Sequence, residues 1–313
     1  MVCVLKEFNE TVPVSLSGER LDRLLSFISS ISRSEASKLI RGNGVSVNGN
    51  RVDRPSFKVS VDDFVEFSID DSEIDLEITP DASIDFEIVH SDSDFLVVNK
   101  PAGLVVHPGA GNSSGTLVNG LLAYDPKIEG VGQKNRPGII HRLDKGTSGL
   151  LLVATTNEAY QFFLNEMQER NIERMYKALV WGLPDGPEGI VDAPIGRSSK
   201  NRKKMGIVSN GKPSRTLYRV LKSWDFSQVS LLEIELETGR THQIRVHLSS
   251  IGNPVVGDEV YGGRRKDLGL ERQFLHAYKL CITHPRTGSI CEFESSLPEE
   301  LNSLLDTFDE NVQ

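Results

Sequence analysis

The stretch GIIHRLDKGTSGLLLVA, residues 138–154, places a group of polar side chains between two apolar runs. The apolar run at its end indicates a buried strand. Gly146 and Gly149 allow backbone conformations that a branched residue would not accept, which predicts a tight, shaped loop just before that strand. Asp144, the acid of this stretch, therefore lies where the backbone can aim its side chain.

Two cations, Arg142 and Lys145, flank Asp144 in the sequence. Nearby positive charge favours the ionised form of a carboxyl group. We therefore expect Asp144 to act as a nucleophile or as an ion-pair partner, and not as a proton donor.

Composition limits the class of protein. A chain of 313 residues with 38% hydrophobic content has room for one sizeable domain and a small one. No stretch approaches the roughly 20 apolar residues of a membrane span, and acids stand near the N-terminus where a secretory signal would carry cations. Three cysteines cannot form a disulfide framework in a chain of this length. We expect a cytoplasmic protein that does not enter a membrane and acts as a monomer.

The distribution of charge matters more than its sum, which is -9. No Lys or Arg occurs between Lys58 and Lys100, where thirteen of the acids lie. The segment from Arg197 to Arg219 carries eight cations and no acid, among them Lys200, Arg202, Lys203 and Lys204. A nucleic acid responds to such a local basic surface and not to the net charge, so an RNA partner is compatible with this composition.

The N-terminal region has the pattern of a small module of helices and strands. Leucines at helical spacing in residues 19–29 predict an amphipathic helix with an arginine face. Ser32 and Glu35 form a capping-box pair for a second helix, and Gly42 is a natural stop. Asn48-Gly49 then predicts a hairpin turn.

This module resembles the RNA-binding domain named for ribosomal protein S-four, which implies a small α/β domain over residues 14–78. The resemblance places six residues on the RNA-facing side: Arg20, Arg23, Arg33, Ser34, Lys38 and Arg41. From the pattern alone, a helical surface with solvated charges is an equally good interpretation. Acids and turn-forming residues indicate a linker or edge strand at about 70–85.

The remaining sequence predicts an α+β domain over residues 85–308. Segments 95–101 and 149–155 read as buried strands, and 173–182 and 230–238 alternate with period two. Strands and helices do not alternate regularly, which favours a mixed, largely antiparallel sheet over a doubly wound one. Neither a dinucleotide fingerprint nor a phosphate-binding loop is present, and we expect no cofactor.

A second informative stretch is TGRTHQIRVHLSSIGNPVVGDEVYGG, residues 238–263. It can be read as a strand, but a helix capped by Thr241 and ended by Gly252 explains more of its residues. Arg245 then stands just inside the N-terminus of the helix, where it is a candidate partner for Asp144. A plain surface arginine is the open alternative.

Other polar residues of the predicted α+β domain have less specific signals. Tyr176 shares a strand face with apolar neighbours, which favours core packing, although its ring could also stack on a base. His107 and His141 are loop residues of the kind that usually form structural hydrogen bonds. The spacing of Cys281, His284 and Cys291 is irregular, so we expect no metal site.

Four stretches together resemble the RluA family of pseudouridine synthases: NKPAGLVVHPG at 99–109, HRLDKGTSGLLLVA at 141–154, ERMYKALVWG at 173–182 and the stretch at 238–263. The resemblance covers nearly the full chain. It implies a catalytic role for Asp144, packing of Tyr176 on the target uracil and an ion pair from Arg245 to the aspartate. It also implies that Arg142 helps to open the target base and that His141 and Thr147 contribute to substrate binding. Gly146 and Ser148 stand where close relatives often carry an acid and a threonine.

The resemblance implies that the protein isomerises uridines in RNA, most of all in large-subunit ribosomal RNA. Two other functions stay open at this point. A hydrolase could cut the same glycosidic bond, although no second acid lies in the Asp144 motif to activate water. A ribosome-assembly factor could bind RNA with dispensable catalysis.

Overall fold

The computed structural model describes residues 5–13, 16–29, 31, 33–42, 44–70, 78–109, 112–198, 201, 204–262 and 268–310. The chain divides into two compact units, Met1–Glu77 and Ile78–Gln313. Among the described helices, none has both the length and the apolar character that crossing a bilayer requires. The predicted domain limits of 14–78 and 85–308 stay predictions.

The smaller unit packs two helices on an antiparallel sheet. Helices α1 (Leu21–Ser29) and α2 (Arg33–Gly42) follow strand β1 (Leu5–Thr11) and precede β2 (Val45–Val47), β3 (Asn50–Val52) and β4 (Phe64–Asp70), in the sheet order β1-β4-β2-β3. Asn48 and Gly49 have φ values of 52° and 76°, as the tight β2-β3 turn requires. Both predicted helices and the hairpin are present, and Ser32 of the predicted capping pair lies outside the described residues.

The larger unit is built on a nine-stranded sheet in the order β5-β6-β7-β14-β8-β13-β12-β9, with β15 paired to β14. A separate two-stranded sheet joins β10 to β11. The strands are β5 (Glu87–Ser91), β6 (Phe95–Lys100), β7 (Ser148–Ala154), β8 (Glu173–Trp181), β9 (Glu188–Asp192), β10 (Ile195–Arg197), β11 (Met205–Ile207), β12 (Arg215–Trp224), β13 (Val229–Leu236), β14 (Leu275–Thr283) and β15 (Ile290–Glu294). The helices are α3 (Leu117–Tyr124), α4 (Asn157–Glu169), α5 (Gln243–Ser250) and α6 (Glu299–Glu310), with a 3-10 turn at Pro126–Gly130.

The sheet is mixed but largely antiparallel, which confirms the predicted α+β class. Among the described strand pairs of this sheet, β7 with β14 is parallel and the others are antiparallel. Every residue of β7 is buried, because apolar side chains cover both faces of the sheet there. Leu151 and Val153 join the core on one face, and Leu150 and Leu152 join the core on the other. The strand that follows Asp144 is therefore a central, rigid element.

Both glycines of the Asp144 motif are closely packed, and Gly149 packs against backbone. Gly149 has a φ of +112°, and a Cβ there would lie 2.2 Å from the carbonyl oxygen of Ala277 on β14. A Cβ on Gly146 would lie 2.4 Å from Oε1 of Gln273. The segment that carries Asp144 can approach β14 this closely only because Gly149 lacks a side chain, and Gly146 leaves room for the amide group of Gln273.

We expect Gly149→Ala to lower the free energy of unfolding by at least about 2 kcal/mol, because the new methyl group meets backbone at a φ that L-residues rarely adopt. Urea denaturation of the full chain measures this change. Gly130→Ala is the matched control, since a Cβ at Gly130 has no atom within 4 Å. Equal stabilities of the two variants would contradict the packing argument.

Candidate active site

Helix α5 presents Arg245 through an unusual first turn. The predicted cap, Thr241, is wrong by one residue: His242 precedes the helix in the left-handed conformation, with a φ of 56° and no side-chain capping bond. The side chain of Gln243 organises this turn instead, accepting hydrogen bonds from the backbone N–H of Arg240 (3.0 Å) and from the Thr238 hydroxyl (2.8 Å). These bonds hold the chain just before the helix, which begins after the left-handed His242 and not after Thr241.

The predicted contact between Arg245 and Asp144 is present. Nη1 of Arg245 donates to Oδ2 of Asp144 over 3.0 Å, and the two side chains are 8% and 14% exposed. Asp144 begins a turn in which its carbonyl oxygen accepts from the N–H of Thr147, 3.0 Å away. The loop and the helix thus fix one oxygen of the carboxylate. The catalytic roles of both residues stay predictions.

Asp258 holds the other side of the Arg245 guanidinium, and sequence reasoning missed it. Its carboxylate accepts from Nε over 2.6 Å and from Nη2 over 2.9 Å, and its side chain is fully buried. Burial by itself would lower the pKa of Arg245, but the hydrogen bonds and charges of Asp258 and Asp144 raise it above its ordinary value. The guanidinium is therefore a permanent cation with a fixed orientation. The available sequence signal for Asp258 was its place just after the apolar pair Val255 and Val256.

Asp144 and Arg245 line a cavity of about 540 Å³. Tyr176 on β8 lines it too and is otherwise buried in the core, so its ring forms part of the cavity wall as well as part of the packing. Burial, reinforced by the charge of Asp144, raises the pKa of Tyr176 to about 12. The phenol is therefore neutral at physiological pH.

Buried side chains support the Asp144 loop from beneath. The ammonium group of Lys100, which is fully buried, donates to the carbonyl oxygens of Pro101 (2.8 Å), Leu104 (2.9 Å) and Lys145 (3.3 Å). Burial and the charge of Arg272 lower the pKa of Lys100 to about 7. Lys100 ties the loop after β6 to the Asp144 loop, a role that its position in the sequence did not indicate.

Two further side chains anchor the end of the loop. Nε2 of Gln273 donates to the hydroxyl of Thr147 over 3.1 Å. Nε2 of His276 faces the carbonyl oxygen of Ser295 (3.2 Å), which leaves Nδ1 to accept from the hydroxyl of Ser148 (2.9 Å). Burial lowers the pKa of His276 to about 4, so this ring is neutral.

The predicted substrate-binding residues lie around the same cavity with different exposures. Arg142 is exposed. Thr147 is buried against Gln273. His141 is buried and accepts from the N–H of Leu152 over 3.2 Å, and burial lowers its pKa to about 3. In this position His141 is a neutral hydrogen-bonding group.

Arg174 is a cavity residue that sequence reasoning did not single out. It is 5% exposed and lies two residues before Tyr176, on the same face of β8. Its Nη2 donates to the carbonyl oxygen of Leu236 over 2.9 Å, and its Nε is buried without a hydrogen-bond partner. The pattern missed it because a charged residue at a buried strand position has no local sequence signature.

The predicted RNA-facing cations of the smaller unit are exposed on α1 and α2 or just before α1, and they comprise Arg20, Arg23, Arg33, Lys38 and Arg41. Ser34 lies in α2, but its side chain is outside the described part of the structure. Arg20 and Arg33 both pair with the buried carboxylate of Asp22, at 2.8 and 3.3 Å. Asp22, which sequence reasoning also missed, therefore orients two arginines toward the surface.

The basic run of the larger unit is only partly described. Lys200, Arg202 and Lys203 lie outside the described residues. The ammonium group of Lys204 donates to the carbonyl oxygen of Val260 over 2.7 Å, so it is bound within the protein next to the Asp258 turn.

Comparisons with known proteins show the family of this chain. The family model described as RNA pseudouridylate synthase matches residues 94–250, and the S4 domain model matches residues 19–65. A "Ribosomal large subunit pseudouridine synthase D" of Nitrosomonas europaea is 44% identical over 303 residues, which is 94% of this chain and 86% of that protein. An "Uncharacterized RNA pseudouridine synthase" of Bacillus subtilis is 40% identical over 309 residues, covering 98% of this chain and all of that protein. The solved structure of "Human RNA Pseudouridylate Synthase Domain Containing 1" matches with a TM-score of 0.54 at 30% identity, covering 74% of this chain and 98% of that one.

We expect Asp258→Asn to lower the free energy of unfolding by about 3 kcal/mol, because it leaves part of the buried Arg245 charge uncompensated. Thermal and urea denaturation measure the change. Glu292→Gln is the control, since it removes a more exposed partner of Lys279 and costs about 0.5 kcal/mol. A loss for Asp258→Asn no larger than that of the control would show that the Arg245 pair is not fixed as described.

We expect His276 to make the protein less stable in acid. Between its ordinary pKa of 6.5 and its folded pKa of about 4, the unfolded chain binds a proton that the folded chain does not. Stability from this residue is therefore present above pH 6.5 and is lost as the pH falls through 4. Urea denaturation at pH 7.0 and 4.5 should show a smaller loss in His276→Gln than in the wild type. Equal losses of stability in the wild type and in His276→Gln would contradict the lowered pKa of His276.

Proposed function

Because the chain belongs to the RluA family of RNA pseudouridine synthases, we propose that it isomerises uridine to pseudouridine in large-subunit ribosomal RNA with Asp144 as the catalytic carboxylate. The observation that carries this proposal is the Asp144–Arg245 pair, 3.0 Å apart, at the wall of a cavity that Tyr176 also lines. Relatives from Nitrosomonas europaea and Zymomonas mobilis that carry the name "Ribosomal large subunit pseudouridine synthase D" support the choice of RNA.

The reaction breaks the bond between the ribose and N1 of the uracil, turns the uracil, and joins it again through C5. Product and substrate have the same atoms, so the chemistry is a rearrangement within one nucleotide. A carboxylate can contribute in three ways: by attacking the ribose carbon, by adding to the uracil ring or by taking a proton from the ribose. Each route requires the carboxylate oxygen of Asp144 to be held in a fixed position. The hydrogen bond from Arg245 holds it there.

The target uridine has to leave its stack in the RNA before it can reach Asp144. Extruding a base costs a few kcal/mol, which contacts with the protein must offset. Tyr176 fits a stacking role, which contributes roughly 1 to 3 kcal/mol per base. Arg142 is exposed at the cavity and fits the space that the extruded base vacates, and His141 and Thr147 shape the wall beside it.

Binding of the surrounding RNA falls to exposed cations. The arginines that Asp22 orients on the smaller unit are suited to phosphate contacts. The exposed cations of the basic run of the larger unit, Arg197, Lys212 and Arg219, supply further positive charge. We expect the protein to act on the RNA as a monomer in the cytoplasm, with an affinity that falls steeply as salt rises.

A hydrolase that releases free uracil is less well supported. Hydrolysis by paired carboxylates needs a second acid that can activate water. Asp258 is the acid beyond Arg245, but both of its oxygens accept hydrogen bonds from the guanidinium. Glu237 also lines the cavity, and it pairs with Arg170 and Arg215. Neither is free to activate water in this arrangement.

We expect Asp144→Asn to abolish pseudouridine formation while RNA affinity changes by less than about threefold. The amide keeps the shape of the side chain but cannot act as a nucleophile or base. Single-turnover assays on large-subunit RNA fragments measure formation of the product, and filter binding measures affinity.

Arg286→Met is the control, because Arg286 pairs with Asp94 and does not line the cavity. It should keep wild-type turnover. Pseudouridine formation by Asp144→Asn at the wild-type rate would refute the catalytic assignment and favour a factor that only binds RNA. Free uracil as the wild-type product would favour the hydrolase.

A further inference from the structure

Arg174 is a buried cation whose counter-charge the described residues do not supply. No carboxylate of the described chain lies within ion-pair distance of its guanidinium, and its one protein acceptor is the neutral carbonyl of Leu236. Two other arginines of the cavity differ in this respect, since Arg170 pairs with Glu237 and Arg245 pairs with two aspartates.

An unpaired buried charge is costly. Burial lowers the pKa of Arg174 from its ordinary value. The same charge, added to burial, lowers the pKa of His141. The folded protein therefore keeps the positive charge of Arg174 at the cavity without a neighbouring carboxylate to balance it. Such a site is retained where a ligand supplies the missing negative charge.

The position of Arg174 indicates which part of the ligand would supply the negative charge. Residues two apart on a strand point to the same face about 6.5 to 7 Å apart, so Arg174 is within reach of a ring stacked on Tyr176. Nη1 of Arg174 lies 2.9 Å from where a Cβ of Gly239 would be, so the glycine leaves room for the guanidinium. Nη2 on the Leu236 carbonyl fixes the rotation of the group.

We propose that Arg174 binds a carbonyl oxygen of the target uracil and stabilises the negative charge that the uracil carries once its bond to the ribose is broken. This inference rests on the proposed function. When the C1′–N1 bond breaks, its electron pair stays on N1 and spreads to O2 and O4. The C1′–C5 bond then forms from the ring, C5 loses its proton, and N1 gains one, so atoms and electrons balance. A fixed cation in a site of low dielectric stabilises such developing charge.

Phosphate groups of the RNA are the other anions that Arg174 could meet. Arg142 and Arg240 also line the cavity but are exposed, which suits them to phosphates that remain in solvent. Arg174 is 5% exposed and lies on the strand face that carries Tyr176. The buried base, and not the solvated backbone, is therefore its ligand.

The test is Arg174→Met, with Arg174→Lys as the conservative variant and Arg286→Met as the control outside the cavity. We expect Arg174→Met to reduce the single-turnover rate of pseudouridine formation by about 100-fold or more, as removal of one preorganised donor does elsewhere. RNA affinity should change by less than about threefold, and Arg174→Lys should recover at least tenfold of the lost rate. The Tm of Arg174→Met should be equal to or above that of the wild type, because an unpaired buried charge is removed.

A merely structural role would lower Tm and rate together, and that result would overturn the proposal. A weakened affinity with an unchanged rate would overturn it in favour of a phosphate contact. A rate within threefold of the wild type would also overturn it. The wild-type protein and Asp144→Asn are assayed in parallel. If the wild type is active, any of these three results refutes only the role of Arg174. If the wild type is inactive, the proposed function itself is refuted.

Discussion

A buried guanidinium between two carboxylates is the interaction on which the rest of the site depends. Arg245 would destabilise the fold if it were left unpaired, and Asp258 compensates its charge with two hydrogen bonds inside the protein. The remaining nitrogen is directed at Asp144, 3.0 Å away. The carboxylate in the cavity is therefore positioned before any substrate arrives.

The backbone around this pair is adapted to keep it in place. Gly149 lets the Asp144 segment lie against β14 at a distance that a side chain would forbid, and Gly146 leaves room for Gln273. Lys100 connects the segment to the neighbouring loop through three carbonyl oxygens. The unpaired charge of Arg174 then gives the cavity a positive potential beside Tyr176. Asp258 and the glycines therefore stabilise the fold around Asp144, whereas the unpaired charge of Arg174 lowers the stability of the protein in the absence of a ligand.

Much of the fold and part of the site could be predicted from local sequence patterns. Alternating polar and apolar residues and apolar runs predicted the strands around β7 and β8, and Asn48-Gly49 predicted the hairpin. These signals depend on residues that are close in sequence. The Asp144 loop was predictable for the same reason. Asp258 and Lys100 were not, because their roles depend on partners brought together by the sheet. The helix cap at Thr241 was wrong because the left-handed backbone of His242 starts the helix one residue later.

The central claim is that the carboxylate held by Arg245 converts uridine to pseudouridine in ribosomal RNA. Mapping pseudouridines in the large-subunit RNA of cells that lack the gene, complemented with either the wild-type or the Asp144→Asn protein, tests it most directly. We predict that at least one pseudouridine disappears on deletion, returns with the wild-type protein and stays absent with the variant. A full set of pseudouridines in the deletion strain, or restoration by the variant, would contradict the account.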